Sequence, residues 1–231
     1  MRLKPFFSYF GGKWRSAKHY PKPACDTIIE PFAGSAGYAM LFHDRKVILC
    51  DSNPVVAGMW DFLIRSAPAD ILALPIEVTS TADLPVCQEA KALIGFWMKR
   101  GATRPNVNSS AWMRTGKYTG WFWGESVRAR IAHQVEHIKH WKIHCKNYWE
   151  LDPTPGTWFI DPPYKGPMGA HYPHHKLNYD ALSGWCKTRP GQTIVCEGPD
   201  ADWLPFKPLG MFRAASGFKQ ESIYCRSEWA L

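Results

Sequence analysis

The chain has 231 residues, 28 basic and 20 acidic side chains for a formal charge of +8, and 45% hydrophobic and 14% aromatic content. That composition excludes a disordered, fibrous or disulfide-scaffold chain and fits one globular domain able to bury a sizeable core. Seven widely spaced cysteines with no Cys-x-x-Cys pair predict reduced thiols in a cytoplasmic compartment, and no apolar run approaches the ~18 residues of a membrane helix. The first 13 residues carry a short apolar patch at 6–10 and no leader-type cleavage pattern.

The charge is local. Residues 99–149 hold ten basic and two acidic residues, which leaves eighteen of each for the rest of the chain. Trp112, Tyr118, Trp121, Phe122, Trp123, Trp141, Tyr148 and Trp149 are interleaved with them. Cations among aromatics suit phosphate contact combined with base stacking or wedging; the other reading is a solvated basic face over core aromatics.

Residues 27–30, Thr-Ile-Ile-Glu, predict a short buried strand, and residues 31–37, Pro-Phe-Ala-Gly-Ser-Ala-Gly, a glycine-punctuated turn. Residues 38–43 then begin a helix and 47–50 form a second strand ending at Asp51, the layout of a nucleotide-binding βαβ unit. Asn53 caps a helix predicted from Pro54 to about Arg65. Val86, Ala90, Leu93 and Trp97 mark a helix over 83–100 that Gly101 ends. About two dozen residues follow with Pro105, Gly116, Gly120 and Gly124 and no period, a length that in a compact domain usually signals function. A helix over 126–141 carries Val127, Ile131, Val135 and Ile138 on one face. Residues 158–161 form a buried strand that runs into Pro162, and a helix (177–187), a strand (193–196) and two terminal strands (211–214 and 222–226) complete the chain. The fold class is α/β: a three-layer, Rossmann-like, mostly parallel sheet with an antiparallel C-terminal strand.

Asp161-Pro162-Pro163-Tyr164 lies at a strand's carboxyl end, where open α/β sheets bind ligands. The exocyclic amino group of a nucleobase is a poor nucleophile because its lone pair is delocalised. The Asp161 carboxylate and the Pro162 carbonyl, aimed at its two hydrogens, would stabilise positive charge developing on nitrogen. The prolines restrict where those acceptors point, and Tyr164 offers a ring face to a base taken out of the duplex. Taken alone, the tetrapeptide is also a turn that ends a strand.

Together with Tyr9-Phe-Gly-Gly-Lys13, the 30–37 segment and Asp51, in that order, the tetrapeptide resembles the Dam-type DNA adenine-N6 methyltransferases, alpha-group enzymes that use S-adenosylmethionine. By motif the resemblance spans about residues 6–164. It implies a catalytic domain formed by residues 1–66 and 142–231, with residues 67–141 an inserted helical and loop region for target recognition. Tyr9 and Lys13 would hold the methionine part of the cofactor, with Lys13 near its carboxylate. Glu30, Phe32, Gly34 and Gly37 would line the loop beneath the methionine and sugar, and Asp51 would bond the ribose hydroxyls. Asn147 would meet the adenine edge, and Asp161 would sit between cofactor and target nitrogen, with Pro162, Pro163 and Tyr164 completing the catalytic set. Two departures stand out: Gly34 and Gly37 are separated by Ser35 and Ala36 where the family pattern is closer to Phe-x-Gly-x-Gly, and Asn147 stands where an acid is usual.

The activity so implied is methyl transfer from S-adenosylmethionine to N6 of a flipped adenine, leaving S-adenosylhomocysteine, with no metal. Cytosine N4 is the nearest alternative, and a non-catalytic DNA-binding module on the same fold is the rival from another class; an Asn-Pro-Pro-Tyr pattern, seen in protein glutamine methylation, is absent. Double-stranded DNA is the expected partner of a monomer or weak dimer, with Arg114, Lys117, Trp121, Trp123, Arg128 and Arg130 as the DNA-contacting residues. His133-Gln-Val-Glu-His137 matches an inverted zinc-peptidase signature, but His140 and His144 continue the same polar stripe, and a solvated or phosphate-facing surface accounts for it more simply.

Overall fold

The computed structural model describes residues 2–117, 120–214 and 217–227, so Tyr118 lies outside the described residues. Seven strands, β1 (Thr27–Glu30), β2 (Lys46–Asp51), β3 (Lys142–Cys145), β4 (Gly156–Ile160), β5 (Gly191–Glu197), β6 (Lys207–Ala214) and β7 (Gly217–Ser227), form one sheet in the order β3-β2-β1-β4-β5-β7-β6. The pairs β1–β2, β2–β3, β1–β4 and β4–β5 are parallel, and β7 runs antiparallel to both β5 and β6. The sheet is therefore Rossmann-like and mostly parallel, with a single reversed strand near its C-terminal edge. β4 and β5 are buried at every position, as strands covered on both faces must be, which is why they read as apolar runs rather than alternations. β6 is the edge strand on that side, where Pro208 is tolerated beside an irregularity in register at Pro208/Gly210.

The helices are α1 (Pro54–Arg65), α2 (Pro68–Leu72), α3 (Gln88–Met98), α4 (Ala111–Arg114), α5 (Glu125–Gln134) and α6 (Tyr179–Lys187). Asn53 caps α1 as expected, its side chain accepting from the Val55 amide at 3.0 Å. Three expectations are corrected. Residues 38–43 supply only a 3₁₀ turn, Ala39–Phe42, in place of a crossover α-helix. The helix expected over 126–141 ends at Gln134, continues as a 3₁₀ turn to Ile138, and yields to β3, a polar edge strand with no sequence period to announce it. The helix expected from 83 starts at Gln88, since Pro85 precedes it and Cys87 is its N-cap.

One hydrophobic core covers one face of the sheet and contains Phe6, Phe7, Trp60, Leu93, Phe96, Trp123, Val127 and Ile131. Phe7 meets Trp60 edge-on at 5.5 Å and Phe96 at 5.4 Å, so the N-terminal segment, α1 and α3 pack as a unit. Residues 67–141 thus share a core with the segment before them rather than forming a core of their own. The opposite face is covered by α6 and a 3₁₀ turn (Tyr148–Glu150), where Trp158, Leu182, Val195 and Trp203 are buried.

From β1 the chain moves outward to β2 and β3, then crosses back to enter β4 on the other side of β1. The β1/β4 junction is the topological switch point, and a crevice opens beyond the carboxyl ends of these strands.

Gly191, at the start of β5, has φ +92°, and an added Cβ would lie 2.4 Å from the Gly156 carbonyl oxygen. Gly191→Ala is expected to cost about 2–4 kcal/mol through combined strain and overpacking. A chemical-denaturation midpoint equal to that of the wild type would contradict this.

Candidate active site

The carboxylates of Glu30, Asp51 and Asp161 stand at or just beyond the ends of β1, β2 and β4 and line one cleft that is partly open to solvent. Residues 9–13, the 31–37 loop and the 172–174 segment form its walls.

The 31–37 loop is tied to β2 and α1. The Ala33 amide donates to the Cys50 carbonyl at 2.9 Å, the Gly34 amide to Asp51 Oδ2 at 3.0 Å, and Trp60 Nε1 to the Gly34 carbonyl at 2.8 Å. Gly34 (φ +44°) and Ala36 (φ +49°) both turn through the left-handed region. Ala36 thus makes the turn that glycine would make without strain, a conformation costing an L-residue roughly 1–2 kcal/mol, and this accounts for the altered glycine spacing. Gly37 has a different reason to be glycine: a Cβ there would lie 2.6 Å from the Trp14 amide nitrogen and 2.8 Å from the Lys13 carbonyl carbon. The loop and the Lys13 backbone are therefore in direct contact.

Asp51 Oδ1 accepts from the Asn53 amide at 2.9 Å, so both carboxylate oxygens hold backbone N–H groups while each keeps a further lone pair. Burial pushes its carboxyl pKa up, against the pull of those two bonds and of His174. Glu30 is buried, with Oε1 accepting from the Ala39 amide at 2.6 Å. Burial, only partly offset by that bond, raises its carboxyl to about 8.

Asp161 pairs with Lys13, Nζ to Oδ1 at 2.8 Å, and the same ammonium donates to the Gly11 carbonyl at 3.1 Å and lies 4.8 Å from the centre of the Tyr164 ring. Burial pulls the Lys13 ammonium down, but Asp161 and Glu221 push it further the other way, so it stays charged. Burial pushes the Asp161 carboxyl up, with Lys13 opposing. The Lys13 ammonium thus makes the carboxylate bond and the ring contact that the motif reading assigns to an incoming amino group.

Tyr164 donates its hydroxyl to Glu221 Oε2 at 2.5 Å, and Tyr20 donates to the same oxygen at 3.2 Å. The exit from β4 is held further by Tyr179, whose hydroxyl donates to the Pro163 carbonyl at 2.8 Å, and by Glu197, which accepts from the Lys165 amide at 3.2 Å and from Trp203 Nε1 at 2.9 Å. Glu221 and Glu197 were not singled out from sequence, being isolated acids in strands that acquire partners only on folding. Tyr172 was missed likewise: it lines the cleft and donates to the Phe10 carbonyl at 3.0 Å, and its hydroxyl oxygen leaves no room for a Cβ on Gly11, at 2.2 Å.

Of the other expected residues, Tyr9, Phe32, Gly34, Gly37 and Pro163 line the cleft, while Pro162 and Asn147 do not. Pro162 is buried directly behind Asp161. Asn147 begins the turn that places Tyr148 against Phe32, at 5.2 Å between rings, and its amide donates to Glu150. The DNA-contact set divides. Arg114 and Lys117 are exposed, and Trp121 is 54% exposed with the Arg100 guanidinium 4.7 Å from its ring centre. Trp123, by contrast, is 4% exposed and its indole N–H donates to the Pro75 carbonyl at 2.7 Å, so it is a core residue and its ring is closed to a base. Arg128 donates to the Leu74 carbonyl at 2.8 Å and to Glu125 at 2.6 Å, holding α5 against the segment after α2. Arg130 lies 5.0 Å from the Trp97 ring centre. His133 and His137 fall on either side of the α-to-3₁₀ change at Gln134, and His137 packs against His43 at 5.4 Å.

Because the folded chain holds Glu30 protonated up to about pH 8 while the unfolded chain ionises near 4.5, its contribution is full below pH 4.5 and is lost as pH rises toward 8. Relative to Glu30→Gln, the wild type should therefore lose about 3–5 kcal/mol of stability across that window. Urea titrations from pH 5 to 8 check this, and parallel profiles for the two proteins would refute it.

A scan of protein-family models finds no match to this chain, and a search of curated proteins finds none.

Proposed function

We propose that the protein transfers a methyl group from S-adenosylmethionine to the N6 amino group of adenine in DNA. The observation that carries this is the placement of the Asp161 carboxylate at the mouth of β4, across one cleft from the Gly34 loop and the Asp51 carboxylate. A carboxylate acceptor set beside a turn whose glycines permit close backbone approach suits a sugar with adjacent hydroxyls on one side and an amine on the other.

The cofactor's fit rests on the donor set. Asp51 retains lone pairs for a diol, the 31–37 turn is fixed by Asp51 and Trp60, and a neutral Glu30 adds no charge near a sulfonium. When bound, S-adenosylmethionine supplies an electrophilic methyl group. The chain's own work is to position and to accept. Asp161 takes a hydrogen bond from the amine, and its burial, which raises the carboxyl pKa, makes it a stronger acceptor for charge developing there. Tyr164, anchored by Glu221, gives the base a ring whose orientation is set before it arrives. Lys13 bonds only Oδ1, so Asp161 keeps lone pairs with which to accept from the amine while the ion pair holds its orientation.

Incubation of duplex DNA with methyl-labelled S-adenosylmethionine, followed by mass spectrometry of the nucleosides, should yield N6-methyladenine. Asp161→Ala should lower transfer by about 10²–10³-fold while calorimetry still detects cofactor binding. N4-methylcytosine as the product would overturn the adenine assignment, and no transfer to DNA by the wild type would overturn the activity.

A further inference from the structure

Arg100 follows the C-terminal end of α3 and places its guanidinium 4.7 Å from the ring centre of Trp121, which is 54% exposed. Arg130, on α5, lies 5.0 Å from the centre of Trp97, one turn back from Arg100 on α3, and its Nε is buried without a hydrogen-bond partner among the described residues. Arg15 is near enough to Arg100, and Arg100 to Arg130, that each neighbour adds to burial in lowering the next guanidinium's pKa. Among the described residues none of the three has a carboxylate within 4.0 Å. The carbonyl ends of α3 offset part of the repulsion, yet like charges brought together from three separate segments call for an anion that spans them.

The cluster adjoins the cleft. The Phe10 amide donates to the Ala102 carbonyl at 3.1 Å and the Gly101 amide to Ser8 Oγ at 3.0 Å, so the residues just after Arg100 run beside the segment whose Tyr9 and Phe10 form a cleft wall. Arg15 continues that same N-terminal segment past Lys13. Of the basic residues anticipated for DNA, Arg128 is held internally by Leu74 and Glu125, whereas this cluster presents cations and an indole together beside the segment that forms a wall of the cleft.

We propose that Arg15, Arg100 and Arg130, with Trp121 alongside, form the site that grips the phosphodiester backbone of duplex DNA next to the target base. This rests on DNA being the substrate. Guanidiniums without carboxylate partners suit the repeating charge of a phosphate backbone, and the indole 4.7 Å from Arg100 favours a guanidinium stacked and ready for bidentate contact.

The test is the salt dependence of duplex binding, measured by fluorescence anisotropy, for the wild type and for the triple variant Arg15→Gln, Arg100→Gln, Arg130→Gln. The wild-type plot of log affinity against log salt should be steep, and the triple variant should flatten it by about 2–3 units, close to 0.9 per phosphate contact. Arg100→Gln alone should remove about one unit and serves should the triple variant fail to fold. Calorimetric binding of S-adenosylmethionine should be unchanged in both. A wild-type slope retained in the folded variants would overturn the proposal while leaving the methyltransferase assignment standing. A steep wild-type slope that the variants lose, in a protein that methylates no DNA, would support the phosphate site and overturn the activity.

Discussion

The ion pair between the buried Lys13 ammonium and the partly exposed Asp161 carboxylate organises the site. An ammonium and a carboxylate removed from water each carry a desolvation penalty of several kcal/mol that only close, well-bonded geometry offsets. Here the geometry is supplied from distant parts of the chain: a residue of the N-terminal segment meets the residue that leaves β4, at 2.8 Å. Removing either partner leaves the other charge unpaired at the cleft, so the pair ties the N-terminal segment to the exit of β4, while Phe6 and Phe7 pack that segment into the core.

Much of the surrounding structure follows from keeping those two groups together. Lys13 reaches Asp161 only because Gly37 lets the Lys13–Trp14 backbone lie against the 31–37 loop. Asp161 is held in place because β4 is buried throughout and its exit is bound by Tyr179, Glu197 and, through Tyr164, by Glu221 on the reversed strand β7. The antiparallel strand thus has a local consequence: it carries a carboxylate to the Tyr164 hydroxyl. Glu30, buried nearby and raised to about 8, reduces the number of negative charges the cleft must hold near neutral pH.

The legible parts of the chain were those governed by local rules. The apolar runs at 27–30, 47–50, 158–160 and 193–196 lie within the central strands, since a strand buried on both faces has to be apolar at nearly every position. Asn53 with Pro54 marked the start of α1 because capping is a contact over two residues. β3 was missed because its polar, four-residue sequence carries no period; it becomes a strand by pairing with β2. Trp121 and Trp123 are two residues apart in one irregular stretch, and no local feature separates the exposed ring from the buried one. That difference comes from the Trp97 and Pro75 carbonyls waiting for Trp123.

By itself the sequence determined the α/β class, the order of motifs, and the candidate residues at the ends of β1, β2 and β4, because strand burial, turn chemistry and capping act over a few residues. Only the tertiary structure decided that Lys13 faces Asp161, that Glu221 anchors Tyr164, that Trp123 lies in the core, and that Arg128 is tied to the Leu74 carbonyl while Arg100 and Arg130 lie against Trp121 and Trp97. Those outcomes depend on contacts between residues tens to more than a hundred positions apart, and such distances are set by how the layers pack around the sheet.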